Sequence, residues 1–313
     1  MITVKNLVKK FGDTVAVDDV SFDVQQGQLV GFLGPNGAGK TTTMRLLTGY
    51  LPPDGGSATL LDKNLLTDSL TIRRHLGYLP ENNPLPDDIE VTDYLNFIGE
   101  MRGIKNPAER KAQIKRVIKL CSLKSVIGKK LQELSKGFRQ RVGLAQAIIH
   151  DPDILILDEP TSGLDPNQVQ EVRGLIIDLK KHKTLIISTH ILSEVQQTCD
   201  RILIINKGKI VGDGTPSTLS GSIKNANRLL VALKGPKESI EQELKQLPGI
   251  LSLTAQKTNS GDDGFVVESP ADLDLRESVF NIAVHHQWPV LSMNHERLSL
   301  EDVFRELTQE EKK

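Results

Sequence analysis

The stretch Leu29-Val30-Gly31-Phe32-Leu33-Gly34-Pro35-Asn36-Gly37-Ala38-Gly39-Lys40-Thr41-Thr42 decides the fold. Its first five residues carry no polar alternation, the pattern of a strand covered on both faces at the centre of a parallel sheet. They run directly into glycines and then into a helical pattern with Met44, Leu46 and Leu47 on it. Gly34-x-x-x-x-Gly39-Lys40-Thr41 is a complete phosphate-binding loop pattern. Glycines let the backbone curl with its amides inward, a nest for anionic oxygens. The following helix adds its positive N-terminal end. Lys40 supplies a point charge to outer phosphates and Thr41 a hydroxyl for Mg2+. Asn36, Gly37, Ala38 and Thr42 complete the cradle.

Outward from this loop, Ile154-Leu155-Ile156-Leu157 is a second buried strand pattern ending in Asp158-Glu159. A carboxylate at a strand end can hold Mg2+ through its water shell, and the next one can orient or deprotonate an attacking water. Acids after a strand also serve as plain helix caps, and only the pairing with the loop favours the catalytic reading. Shortly before it lies Leu134-Ser135-Lys136-Gly137-Phe138-Arg139-Gln140-Arg141. Ser135 and the Gly137 amide at a helix start form a second anion grip, although Ser-x-Gly is often only an N-cap. Two copies arranged head to tail could close such grips over two nucleotides, equivalently by twofold symmetry.

The order of phosphate loop, Leu-Ser-x-Gly, Asp-Glu, Ser162-Gly163-Leu164-Asp165 and Ser188-Thr189-His190 resembles the nucleotide-binding domain of the ABC ATPase family over residues 1 to about 215. The resemblance implies an α/β P-loop NTPase core with a helical subdomain at about 85–150. It implies ATP and Mg2+ as cofactors, a second ATPase copy as partner, and a separate membrane-spanning permease. By the same resemblance Glu159 is the catalytic base, His190 contacts the γ-phosphate, and Asp165 lies in a loop crossing the dimer interface. Phe11 would stack on adenine, an ordinary core ring being the alternative. Two departures stand out. Pro80-Glu81-Asn82 occupies the place where the family usually has Gln, so Glu81 either lends an oxygen to Mg2+ or faces only the membrane partner. Lys136 and Phe138 stand where Gly and Gln are commoner, while the phosphate-facing Ser135 and Gly137 remain. The whole pattern is similar to exporter-type ATPases of gliding-motility and multidrug systems. The alternative is a soluble ATPase of this type acting on a ribosome or DNA. The single cassette, and the lack of sustained heptads between loop and Ser135, weigh against it.

The 313 residues allow one large domain or two ordinary ones. With 38% hydrophobic and 25% charged residues the chain has material for a packed core. A formal net charge of -1 argues against a nucleic-acid partner. Cys121 and Cys199 lack metal-ligand spacing and read as buried thiols. No signal-like N-terminus is apparent, and no apolar run reaches the ~20 residues of a spanning helix. The expected location is therefore cytoplasmic, peripheral on the inner face of the membrane.

Helical periodicity covers about 91–134, with further helices at 138–149 and 168–180, and 202–211 reads as a hairpin. A linker is expected at 216–227, rich in Gly, Ser, Thr and Asn. Residues 228–313 then read strand, helix, strand, turn (Asn259 to Gly264), strand, helix, strand, helix, a smaller α+β domain of ferredoxin-like type. Ser299 with Asp302 suggests a capping box. His285, His286 and His295 read as surface histidines, and Trp288 as a core or interface anchor.

Overall fold

The computed structural model of the chain describes residues 2–220, 227–257, 263–270, 273–296 and 300–308. Two compact units divide it, Met1–Pro216 and Ser217–Gln309.

In the first unit the strands are β1 (Ile2–Phe11), β2 (Thr14–Val24), β3 (Leu29–Leu33), β4 (Gly55–Leu60), β5 (Lys63–Asn64), β6 (Leu76–Leu79), β7 (Ile154–Asp158), β8 (Thr184–Thr189), β9 (Arg201–Asn206) and β10 (Lys209–Gly214). The helices are α1 (Lys40–Leu47), α2 (Ser69–Arg74), α3 (Val91–Met101), α4 (Pro107–Leu120), α5 (Lys136–Ile148), α6 (Pro166–Lys180) and α7 (Leu192–Thr198), while α8 (Pro216–Ser220) starts on the last residue of this unit and otherwise belongs to the second. A six-stranded sheet runs in the order β10-β9-β3-β8-β7-β6. All its pairings are parallel except the edge hairpin of β9 and β10. Every residue of β3, β7 and β8 is buried, which is why residues 29–33, 154–157 and 185–187 read as runs without a polar face.

A second, antiparallel sheet has the order β2-β1-β4-β5. Ile2, Val4, Val20 and Phe22 from this sheet meet Phe32, Ile156 and Ile186 from the other, with Met44, Leu46 and Leu47 of α1 in the same core. The Phe22 and Phe32 rings lie 5.8 Å apart, tilted by 51°. Each such side chain taken fully out of water contributes roughly 1.5–3 kcal/mol, so the helix that starts at the phosphate loop is locked in place from both faces.

Helices α3, α4 and α5 pack on one another. Each start has a local cause. Asn106 caps α4 by accepting from Ala108 N at 2.9 Å, ahead of Pro107 in the first turn. The Ser135 hydroxyl accepts from Phe138 N at 3.4 Å, so α5 begins at Lys136, two residues before the expected start. The helical stretch expected across 91–134 is interrupted at Gly103 (φ 89°) and ends in two short 3-10 turns. Cys121 and Cys199 are buried free thiols; burial pushes the Cys121 thiol up to about 12.

The second unit comprises β11 (Asn227–Leu233), α9 (Lys237–Lys245), β12 (Ser252–Lys257), β13 (Asp263–Ser269), α10 (Arg276–His285), β14 (Val290–Glu296) and α11 (Leu300–Thr308). Its antiparallel sheet has the order β12-β13-β11-β14, the split β-α-β arrangement of a ferredoxin-like fold. Its own core gathers Leu229, Val231, Ile240, Leu244, Val267 and Val279. Trp288 packs against that core, and the His286 ring stacks on it at 4.5 Å. Part of the stretch expected as linker is helical, because Pro216 opens the short helix α8. Residues 221–226, Ser299 of the expected capping box and the side chain of His295 lie outside the described residues, as does most of the turn expected from Asn259 to Gly264; its last two residues, Asp263 and Gly264, are strand instead and open β13, where they pair with Lys257 and Gln256.

Candidate functional site

The phosphate loop joins the carboxyl end of β3 to α1, beside the carboxyl ends of β7 and β8. Its curl demands glycine. Gly39 sits at φ 107°, and a Cβ there would lie 2.4 Å from the Ala16 carbonyl. A Cβ on Gly34 would lie 2.4 Å from the Ile205 carbonyl. β2 and β9 thus press the loop into shape, and only a residue without a side chain fits at either point.

A cavity of about 290 Å3 opens at the loop, lined by Asn36, Gly37, Gly39, Lys40, Thr41 and Thr42 with Ala16, Glu81 and Glu159. A second, of about 440 Å3, lies at the amino ends of β3, β7 and β8 among Gln26, Asp62, Asp153 and Lys183, away from every motif residue. Only the first is built from the loop's backbone cradle, and it is the candidate site.

Lys40 is buried; its Nζ donates to the Gly34 carbonyl at 2.8 Å and lies 3.4 Å from Glu159 Oε1. The other oxygen of Glu159 faces His190 Nδ1 at 2.9 Å. A carboxylate only accepts, so Nδ1 carries the proton of that bond. Glu159 is 5% exposed, and its amide donates to both the carbonyl and the hydroxyl of Ser188. Its backbone stands at φ 49°, a left-handed conformation costing a non-glycine residue on the order of 1 kcal/mol. The strain sets the carboxyl group into the cavity, between a lysine and a histidine.

Asp158 ends β7, fully buried. Burial pushes its carboxyl upward, opposed by hydrogen bonds from Ser188 and Thr41, while Glu81 and Glu159 add to the rise. Oδ1 accepts from Ser188 Oγ and faces Thr41 Oγ1 at 3.3 Å; Oδ2 is buried with no hydrogen-bond partner. Thr41 Oγ1 is also 3.4 Å from Glu81 Oε2. One hydroxyl and two carboxylates therefore converge, with a buried acceptor left over, and a cation would satisfy all of them. Among the described residues no group of three or more His, Cys, Asp or Glu stands ready for a metal. A cation here would complete its shell with water and phosphate oxygens, the habit of Mg2+.

Ser135, Gly137 and Asp165 do not line this cavity. Asp165 caps α6 by accepting from Gln168 N at 2.9 Å. Gln168 packs directly over Gly137, and Lys136 reaches Gly163. The Ser135 helix tip and the Ser162–Asp165 loop thus share one neighbourhood of their own. Phe11 is 50% exposed at the β1–β2 turn, not a core ring, and lies outside the residues lining the cavity. Ser188, buried between Asp158 and the Glu159 amide, acquires its role only once β7 and β8 are side by side. Asn83 donates to the Arg139 carbonyl at 2.9 Å, tying the segment after Glu81 to α5. No sequence pattern marks that bond.

A family profile described as "ABC transporter" matches residues 17–162. The "Probable multidrug ABC transporter ATP-binding protein YbhF" of Escherichia coli is 38% identical over 248 residues, 79% of this chain but only 41% of that protein. The chain therefore spans less than half the length of that curated relative. The "Nod factor export ATP-binding protein I" of Cupriavidus pinatubonensis is 34% identical over 98% of this chain and 90% of its own length. Among solved structures, "Dimeric structure of a post-hydrolysis state of the ATP-binding cassette MJ0796 bound to ADP and Pi" superposes with a TM-score of 0.63 and 25% identity, covering 69% of this chain and 98% of that one.

Proposed function

The chain belongs to the ABC transporter ATP-binding family, and on that footing we propose that it binds and hydrolyses ATP as one half of a head-to-tail pair that drives a separate membrane-spanning permease. The observation that carries this reading is the placement of Glu159 at the mouth of the phosphate loop, held between Lys40 and His190.

The loop amides and Lys40 bind the phosphates, and the buried Lys40 ammonium meets the charge that builds on the terminal group during transfer. Glu159 orients the attacking water and takes up its proton. His190 fixes the Glu159 carboxylate through Nδ1. A simultaneous bond from Nε2 to a phosphate oxygen requires the doubly protonated ring, since Nδ1 already carries a proton. Mg2+, when bound, would be held by Thr41, Asp158 and Glu81 and would neutralise phosphate charge. Exposed Phe11 is suited to stacking on the adenine ring.

Ser135 and Gly137 of one copy would grip the terminal phosphate lodged in the loop of the other, with Asp165 at the crossing. Their position away from the chain's own cavity supports this division of labour. The permease contact is assigned to the α3 region and the segment from Glu81 to Tyr94. There Phe97 and Met101, 54% and 68% exposed, offer apolar surface to a partner. No helix among the described residues is long and apolar enough to cross a membrane. The likeness to multidrug and Nod factor export proteins favours export, from the inner face of the membrane.

Glu159→Gln is the test. It is expected to leave ATP binding within a few-fold, to lower turnover by about 100-fold or more, and to accumulate an ATP-bound dimer on size-exclusion chromatography. Turnover at the wild-type rate would overturn the assignment.

A further inference from the structure

We propose that Glu194 is a positioning residue for hydrolysis, whose buried carboxylate clamps the loop after Glu159 to the strand end before His190. The inference rests on the functional reading above, because it assigns Glu194 a task in that reaction.

Glu194 is 6% exposed, near the start of α7. Its Oε1 accepts from Thr161 Oγ1 at 2.6 Å and its Oε2 from Thr189 Oγ1 at 2.8 Å. Both threonines are buried, at 6% and 0% exposure. Thr161 stands two residues past Glu159, and Thr189 immediately precedes His190. One carboxylate therefore grips both segments that carry the reacting acid and its histidine.

The clamp falls where the sheet stops doing this work. β7 and β8 are paired up to Asp158 and Ser188, and the Glu159 amide still reaches the Ser188 carbonyl at 3.1 Å. The ladder pairing of the two segments ends there, and side chains hold their spacing beyond it. The Glu159 backbone is left-handed, a conformation that persists only where its surroundings enforce it. An anchor two residues on supplies that enforcement. Thr189 extends the connection: its hydroxyl accepts from Ile191 N at 3.0 Å, and its carbonyl faces Gly34 N at 3.4 Å, at the entry to the phosphate loop.

The chemistry explains why the position is acidic. A buried carboxylate is costly unless its oxygens are satisfied, and here two hydroxyls aim at it. Because a carboxylate only accepts, both threonines must donate, which fixes their rotamers. Bonds to an ionised acceptor are also shorter and stronger than neutral ones. An amide would offer one acceptor and one donor and would reverse one of the two bonds. Glu194 is not among the residues lining the cavity, so its effect passes through Glu159 and His190.

The test is steady-state ATPase kinetics of the full chain with four changes: Glu194→Ala, Glu194→Gln, the pair Thr161→Val with Thr189→Val, and the pair Thr161→Ser with Thr189→Ser. The Ala and double-Val proteins are expected to lose kcat by about tenfold or more, with KM and ATP affinity within about threefold. Gln should fall between Ala and wild type, and the double-Ser protein should keep wild-type turnover because both hydroxyls remain. Adding the Val pair to Glu194→Ala should cost clearly less than the two separate losses combined, since the three side chains share the clamp and only the bond from Ile191 N to Thr189 lies outside it. If Glu194→Ala fails to fold, the nearly isosteric Val pair gives the answer. Unchanged kcat in the Val pair, a double-Ser protein as impaired as double-Val, or joint loss of kcat and ATP affinity would each overturn the clamp. A wild-type chain without ATPase activity would overturn the functional reading and the clamp with it. An active wild type with an unaffected Val pair overturns the clamp alone.

Discussion

His150 carries no motif, yet the fold gives it one of the most displaced proton affinities in the chain. Its Nε2 donates to the Leu76 carbonyl at 3.1 Å, while Nδ1 is buried without a partner. Burial, with Arg102 and Lys183 adding repulsion, drives its pKa down from 6.5 to about 4. The folded chain thus holds a neutral ring over a range in which the unfolded chain takes up a proton. Above about pH 6.5 neither state is protonated and the contribution is intact. Between 6.5 and 4 the unfolded state gains the proton, and stability is lost by up to roughly 2–3 kcal/mol. Asp158, held upward, acts in the opposite direction, so the comparison must be between proteins. The difference in melting temperature between wild type and His150→Gln, followed from pH 7.5 down to 4.5, is expected to shrink as the pH falls. A constant difference would contradict the burial. The sequence could not disclose this, because Leu76, Arg102 and Lys183 meet His150 only in the folded chain. Lys40, Asp158 and Glu159 were readable for the converse reason: each sits inside a contiguous motif whose spacing its chemistry imposes.

Among the elements, α5 carries more than its cap. Near its start, Arg139 donates to Asp87 Oδ1 at 3.0 Å and to the Leu131 and Leu85 carbonyls at 2.9 and 3.3 Å, while its own carbonyl accepts from Asn83. Gly143 leaves the room Asn83 needs, since a Cβ there would lie 2.0 Å from Asn83 Nδ2. The segment bearing Glu81 is thereby strapped to the helix whose tip bears Ser135 and Gly137. Arg139→Ala is expected to release the strap at a cost of about 1–3 kcal/mol. Amide hydrogen exchange across 82–87 should quicken markedly, with the phosphate-loop amides unchanged; unaltered exchange there would refute the coupling. The strap escapes a reading by periodicity, because 80–90 contains neither a helix nor a strand pattern. The same limit hid α2 and α8, six and five residues long, too short to show a helical period. β3, β7 and β8 were plain because complete burial leaves an apolar run that no surface segment imitates.

At the scale of the whole molecule, the first unit has two sheets and the second unit one, each unit with its own core, and the order of strands and helices beyond 227 was enough to foresee the sheet of the second unit. Which side chains of the first unit would face a common cavity was less open to view. Lys40, Thr41, Glu81 and Glu159 do so, whereas Ser135 and Gly137 are turned to a different neighbourhood. That separation has a genetic corollary. In a reciprocal pair each catalytic centre borrows half its parts, so two crippled proteins can repair one another. Lys40→Ala spoils the receiving half, and Ser135→Asp spoils the donating half while keeping a good helix cap. Each should be silent alone. Mixed in equal amounts, they should revive roughly a quarter of the centres, since half the random pairs are hybrids and each hybrid owns one sound centre out of two. Persistent silence in the mixture would mean that every chain works with its own parts only.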